Sequence, residues 1–508
     1  MKSLRAQVFC GLLVAFATAG LTSCHSSNYL AYKFPEFTFA NRPVPPSLLA
    51  NRVMIGVTAN GVSGGSLQIV DAKRDLRNNI QNTKTFSISG YGSGYPNLIL
   101  NFPAEVSGYV YSSAQGDIQI INYSKESVTG TGGTFPAKST ALAVPPTFAH
   151  VYSAQETIGQ LGIIDNTTGQ SYSLVLPNVF QVVVNAGDTV VLAMVRNSDT
   201  VYRLVKLNQN QYPTSTAAVA ALGAADCQPF NLPVYCAVPV NTGTNVNAFD
   251  RPMGAYFSLD GNSVYVLNCG QECGGTTSSV TYLQQGVLQN NHIPTTIPDT
   301  SSFITQVLVP GGVTDALSNG TTLYVSGQQL QPDGLFAGNL STINLATNTV
   351  TGQYSISDGT HTKMLFADNN TLWIGSQYCA TGERASRAAQ QLAAGKPTDQ
   401  SANFNCLTRF DLGALTASIV PAVTQVPAGS TATAVTVAFP NTNQNQFYYG
   451  DLTGLCWVQS FNKVYTAYGG QVHIFSTVDG SEIDNKNVIV QGTALDVAYM
   501  DSITDADD

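Results

Sequence analysis

Gly159-Gln160-Leu161-Gly162-Ile163-Ile164-Asp165-Asn166-Thr167-Thr168-Gly169 decides how this chain folds. It is a short apolar strand led by a glycine and closed by a polar turn, too short and too β-branched for a helix. The same unit recurs along the sequence. Copies run Gly65-Ser66-Leu67-Gln68-Ile69-Val70-Asp71, Gly116-Asp117-Ile118-Gln119-Ile120-Ile121-Asn122, Leu340 to Leu345, Cys406 to Leu412 and Gly470 to Ser476, with weaker ones at Val201 to Leu207 and Ser279 to Leu283. Ahead of them stands a second recurring strand in which aromatic and β-branched residues alternate. Its copies are Gly108-Tyr109-Val110-Tyr111, Ser263 to Leu267, Leu323-Tyr324-Val325, Leu372-Trp373-Ile374 and Lys463-Val464-Tyr465, and Val53 to Val57, His150 to Tyr152 and Val190 to Met194 fill the remaining slots. The total is eight paired units.

Tight-turn sequences complete each unit. Asp260-Gly261, Asn319-Gly320 and Asp368-Asn369-Asn370 precede Tyr-rich strands, and Asn and Gly accept the positive φ that a two-residue hairpin needs. Short apolar strands, Ala255 to Leu259 and Lys363 to Ala367, stand before those turns, and strands such as Gln353 to Ser357 follow the Gly-led copies. Each repeat is therefore four antiparallel strands, which is a propeller blade. One such sheet cannot bury both of its faces, so the unit must be repeated around a ring. The repeats begin at Val53, a second-strand position, and end at Thr493-Ala494-Leu495-Asp496-Val497-Ala498-Tyr499, an innermost strand with no partners after it. An all-β, eight-bladed propeller closed by that C-terminal strand pairing into the first blade is expected, with seven blades as the alternative. A β-sandwich array would not explain the circular offset.

The Tyr-Val strand followed by a Gly-led strand ending Ile-Asp-x-x-Thr-Gly resembles the YVTN-type bacterial β-propellers, relatives in shape of lactonase-like and NHL propellers. The resemblance covers nearly the whole chain after its leader. It implies the fold and leaves the activity open, because propellers of this pattern include enzymes, binding proteins and surface proteins.

The N-terminus points outside the cytoplasm. Met1-Lys2-Ser3-Leu4-Arg5 is a basic head and Val8 to Gly20 an apolar run, the layout of a secretory signal and too short to span a bilayer comfortably. Leu21-Thr22-Ser23-Cys24 resembles the bacterial lipobox, in which the cysteine is lipidated and becomes the mature N-terminus. Residues 1–23 are thus expected to leave as signal, with Cys24 as membrane anchor, 24–50 as a proline-punctuated tether, 51–501 as the propeller and 502–508 as an acidic tail. His25, in place of Asp, follows the cysteine; by resemblance to lipoprotein sorting in diderm bacteria this favours the outer membrane.

Charge excludes some partners. Net charge is −9, and losing Lys2 and Arg5 makes it more negative still, so no basic patch is left to hold nucleic acid. Nine cysteines are present. With Cys10 in the signal and Cys24 lipidated, local pairing joins Cys227 with Cys236, Cys269 with Cys273 and Cys379 with Cys406, leaving Cys456; connectivity stays open at this point. A metal site at Cys269 to Cys273 would need further ligands, and no histidine lies nearby in sequence.

Catalytic motifs are weak. Gly61-Val62-Ser63-Gly64-Gly65 has the spacing of a nucleophile elbow but leads into a strand, not a helix, and Gly90-Tyr91-Gly92-Ser93-Gly94 misses the dinucleotide spacing. His150, His361 and His473 fall on different strand types. Asp165, Asp260, Asp368 and Asp411 occupy repeated turn positions, where local capping is the simplest use. No catalytic residue, cofactor or metal is assigned, with Ca²⁺ at a channel mouth kept open for the lactonase-like alternative.

The largest departure from the repeat is Tyr378 to Asn405, inserted between the second and third strands of the seventh unit. Within it Glu383 to Ala394 reads as a helix between Cys379 and Cys406, and Glu383, Arg384 and Arg387 are candidate partner contacts. A second insert, Asn210 to Asn247, reads as a surface excursion. The functional expectation is a monomeric, membrane-tethered ring that binds or scaffolds a protein or glycan partner at the cell envelope; the alternative is a lactonase-like hydrolase or lyase.

Overall fold

The computed structural model describes residues 43–502 except 60–63, 77, 80–83, 209–210, 229–233, 244–247, 295–296, 298–300, 422–448 and 484–487; of 381–404 it describes Arg384, Arg387, Gln390, Gln391, Ala394 and Gly395. Eight antiparallel sheets follow one another in chain order, and within most of them the strands lie side by side in sequence order. Blade three shows the pattern: Ala141–Ala143, His150–Gln155, Gln160–Asp165 and Gln170–Val175, numbered first to fourth from the axis outward. The strand that opened the sequence argument is therefore a third strand.

Burial explains why the middle strands read as nearly continuous apolar runs. Gln160–Asp165 and Ser263–Asn268 are buried on both faces except at their first residue, because each lies between two neighbouring blades. Outer strands return to alternation, as in Thr349–Ser355, which is half-buried at every second position and exposed between. Eight of the apolar clusters sit at the eight blade interfaces. Met54, Ile69, Val110 and Ile121 join blades one and two, for example, and Tyr324, Leu340, Leu372 and Phe410 join six and seven.

The ring closes where the sequence predicts. Thr493–Tyr499 is the innermost strand of blade one and pairs antiparallel with Arg52–Thr58, Val53 opposite Tyr499 and Ile55 opposite Val497. Its other face completes a core with blade eight, where Val53, Ile55 and Val497 meet Cys456, Tyr465 and Ile474. A charged latch lies beside the seam. Arg52, 1% exposed, donates to Asp501 through Nε at 2.9 Å and Nη2 at 2.6 Å, and through Nη1 to Glu126 at 3.0 Å and to the Tyr123 carbonyl at 2.7 Å. The chain just before the ring docks as well, since the Ser47 amide donates to Glu126 at 2.9 Å.

Blade four corrects the reading of Asn210 to Asn247 as a surface excursion. Within that stretch, Val234–Pro239 pairs with Val201–Leu207 as a fourth strand and Asp226–Gln228 adds a fifth. Between them and the third strand lies the helix Ser215–Leu222, capped by Thr214, whose hydroxyl accepts from the Ala217 amide at 3.1 Å, and ended by Gly223 at φ +59°. The Cys227–Cys236 disulfide crosses the outer strand pair and is fully buried. The segment is buried because the helix packs Ala218 and Leu222 on Val205, Leu207 and Val238.

Candidate functional site

Antiparallel order sorts the loops onto two faces. Connections between second and third strands emerge on the same face as the links from one blade to the next; this is called the upper face here. Turns between first and second strands, and between third and fourth, lie on the lower face.

On the upper face three enlarged loops lean on one another over blades five to seven. In blade five the loop after Ser263–Asn268 carries the Cys269–Cys273 disulfide and is clasped by Asp250, which accepts from the Thr276 amide and hydroxyl, both at 2.8 Å, and from the Thr277 amide at 2.7 Å. Burial pushes the Asp250 carboxyl up, but these hydrogen bonds outweigh it and hold it below its ordinary value. From the same loop Glu272 crosses to blade six, accepting from Gln328 N at 2.8 Å and Nε2 at 3.1 Å. Glycine is required under it: a Cβ on Gly312 would stand 2.3 Å from its carboxylate. Burial raises the Glu272 carboxyl to about 7.

In blade six the second and third strands, Thr322–Leu330 and Phe336–Asn344, are nine residues each and rise as a hairpin. The blade-seven insert reaches its tip. Arg384, 4% exposed, donates to Asp333 at 2.7 Å and to the carbonyls of Phe336 at 3.1 Å and Leu335 at 3.3 Å, while Arg387 lies 3.5 Å from Asp333 and is half-exposed. Arg384, Arg387, Gln390 and Gln391 are helical; Glu383 lies outside the described residues. The Cys379–Cys406 disulfide fixes the base of the insert, and the Cys406 amide donates to the Tyr468 hydroxyl of blade eight at 2.7 Å. Of the expected contact residues, Arg384 is thus turned inward onto the neighbouring hairpin and Arg387 alone, among those described, presents a free flank to solvent.

The innermost strands bring together Asp315, Lys363 and Asp496. Lys363 Nζ lies 3.6 Å from Asp496, which also accepts from the amides of Ile99 at 2.8 Å and Val497 at 3.0 Å. Burial raises both carboxyls, that of Asp315 to about 7, and the Lys363 charge opposes the rise.

The lower face holds clamps between blades. His150 Nδ1 bonds Asp188 of blade four, Tyr152 donates to Asp188 at 2.8 Å, and the Tyr235 hydroxyl lies 3.3 Å from His150 Nε2. Burial, and then the adjacent Asp188, pushes the Tyr152 hydroxyl well above its ordinary value, so it stays a donor and no nucleophile. Lys463 and Tyr465 of blade eight hold Asp75 of blade one from the same repeat positions. His361 is buried, its Nε2 2.8 Å from the Ser357 carbonyl, and burial lowers it to about 4, leaving it neutral. His473 bonds Glu482 at 2.6 Å on a third strand.

Three of the four turn aspartates cap their own turns. Asp165 accepts from Thr167 N at 2.9 Å, Asp260 from Asn262 N at 3.0 Å and Asp411 from Ala414 N at 2.8 Å. Asp368 instead joins blades, accepting from Trp457 Nε1 at 3.0 Å and Asn462 N at 2.9 Å. Gly90 to Gly94 is a link into blade two, with Ser93 bonded to Asp117 at 2.5 Å; Gly61 to Ser63 lie outside the described residues. Sequence reasoning missed one repeated device. The second strands carry Ser112, Ser153, Asn268, Ser326 and Ser376 one to three positions past an aromatic residue, and these side chains tie down the link or the inner strand that enters their own blade, as Ser376 does to the Asp358 carbonyl at 2.8 Å and Asn268 to that of Ala248 at 3.2 Å. A small polar residue recurring shortly past the aromatic residue in five of these strands was its visible trace.

Among the described residues no group of three or more His, Cys, Asp or Glu side chains is gathered for a metal ion, and no helix is long and apolar enough to cross a membrane. No protein-family model and no curated protein matches the chain. Solved structures similar to it include hydrazine synthase of Kuenenia stuttgartiensis, at 12% identity and TM-score 0.45 over 76% of this chain and 97% of that one. Dihydro-heme d1 dehydrogenase NirN in complex with DHE aligns at 12% identity and TM-score 0.48 over 91% and 79%, and the Cps50 (Swd1) β-propeller domain of Myceliophteria thermophila at 9% and 0.42 over 76% and 98%. At these identities the assignment of the fold rests on the strand pairing itself.

Proposed function

We propose that this chain is a membrane-tethered scaffold of the bacterial cell envelope, anchored through lipidated Cys24, whose upper face over blades five to seven receives a protein or glycan partner. The observation that carries the reading is the built wall on that face: a disulfide loop, a raised hairpin and a stapled insert, braced by Glu272–Gln328 and Arg384–Asp333. Loops on a rigid scaffold are where binding residues concentrate, and three disulfides suit an oxidising compartment. The lactonase-like alternative draws no such support, because the axial carboxylates Asp315 and Asp496 face an ammonium rather than an open ligand position.

The test is fractionation and envelope cross-linking with the full chain in a diderm host. The unaltered chain is expected in the outer-membrane fraction, with Cys24→Ser moved to the soluble periplasm. A partner cross-linked to the unaltered chain should be lost on Arg387→Glu. An unanchored wild-type chain, or cross-linking only through the lower face, would overturn the proposal.

A further inference from the structure

On the same upper face, between blades four and five, a cavity of about 220 Å³ opens beside the axis. Phe180, Arg196, Arg251, Met253 and Cys273 are among its walls. A dry cavity of about 150 Å³ holds benzene, so this one has room for a ring and a small polar group.

Its two arginines differ in what they have left to give. Arg196 stacks 4.4 Å over the Phe180 ring and is gripped by Glu156, with Nη2 at 3.0 Å, so its guanidinium is fixed and largely satisfied. Arg251 is held from behind. Its backbone is left-handed at φ +54°, a conformation long L side chains seldom adopt, and its carbonyl accepts from the Cys269 amide at 3.1 Å. Its stem packs where a Cβ on Gly275 would come within 2.9 Å, so the disulfide loop sets its direction. The guanidinium of Arg251 makes no hydrogen bond to any described residue: Nε is buried without an acceptor, and Nη1 comes only to 3.5 Å from the exposed Asp199. A buried N–H of this kind is costly unless an acceptor arrives, and a carboxylate is the acceptor that fits a guanidinium edge best among small organic groups.

We propose that this cavity binds a small organic acid, its carboxylate on Arg251 and its flat apolar body against Met253 and the Phe180–Arg196 stack. The inference deepens the scaffold reading by naming a chemical class recognised on that face, and it rests on that reading only for the choice of face.

Ligand-observed saturation-transfer NMR on the intact chain tests it with three probes: phenylacetate, its neutral isostere phenylacetamide, and inorganic phosphate. Phenylacetate should bind saturably, and phenylacetamide at least about tenfold more weakly, because a charged hydrogen bond is lost. Phosphate alone should not displace phenylacetate, since it lacks the apolar body. Arg251→Gln should weaken phenylacetate by a similar factor while the thermal midpoint stays near that of the unaltered chain. Equal binding of acid and amide, or no phenylacetate binding up to about 10 mM, would overturn the proposal on the unaltered protein alone, even if Arg251→Gln folds poorly. A chain that binds phenylacetate yet cross-links to no envelope partner would sink the scaffold reading and leave this one standing; loss of acid binding with partner capture intact would do the reverse.

Discussion

The seam between blades eight and one and the wall over blades five to seven are held together by different forces. At the seam a whole strand is buried between two apolar surfaces, with the Arg52 latch at its end and Lys463 of blade eight paired with Asp75 of blade one at 2.7 Å. Along the wall, two of the loops are each closed by their own disulfide, and neighbours are joined by single hydrogen-bonded charges, Glu272 to Gln328 and Arg384 to Asp333. Damage at the seam should therefore be felt by the whole ring, whereas damage along the wall should stay local. This division lets a propeller vary its loops without risking closure.

The comparison breaks most visibly at Arg52. Arg52→Ala removes a cation from between Asp501 and Glu126, leaving two buried carboxylates without that counter-charge, and should cost about 3 to 5 kcal/mol in a denaturant titration. A loss as small as that of an exposed pair would mean that the latch is incidental to closure. Next comes the wall's main staple. Replacing Cys379 and Cys406 together by Ser should cost about 3 to 4 kcal/mol on the chain-entropy account for their separation of 27 residues, with the β-sheet circular dichroism retained. Ring unfolding in that variant would abolish the distinction between seam and wall.

Smallest is a pH effect within the wall. The Glu272 carboxyl is raised in the folded protein to about 7 from an ordinary 4.5, so the folded state holds its proton more tightly than the unfolded one. Stability should fall as pH rises from about 4.5 to 7 and level off above, by at most about 3 kcal/mol from this residue and by less because Glu272 is only partly buried and water screens it. Asp315 adds a decline in the same direction. Glu272→Gln keeps an acceptor for Gln328 and should flatten its share of the slope in midpoints measured between pH 4 and pH 8; an unchanged slope would place the effect elsewhere.

The blades and their closure were legible because they repeat: each copy of the Tyr-rich strand faces the same two-sided burial, so the same residue types return. The three disulfides were legible by proximity. Blade four resisted because Val234–Pro239 joins its sheet only after a helix and an extra hairpin, in a stretch whose Ala, Thr and Asn composition reads as loop. The wall resisted for another reason. Asp333 stands 51 residues before Arg384, and Glu272 stands 56 before Gln328, each in the neighbouring blade, so no local pattern connects them. Arg384 looked like an exposed helix charge for want of that partner. The acid-sized cavity was invisible for the same cause, since its walls come from two blades and a left-handed backbone at Arg251.

The position of Thr493–Tyr499 also sets an order of assembly. A chain emerging N-terminus first presents Arg52–Thr58 as an open edge, with Met54 and Ile55 uncovered, until nearly the last residue of the ring has arrived. During all that time the molecule is an arc with a sticky margin at each end, the kind of edge that recruits stray strands. Its biogenesis therefore has a long vulnerable interval that ends in one late event, and any factor that shields the arc would be needed only up to that event.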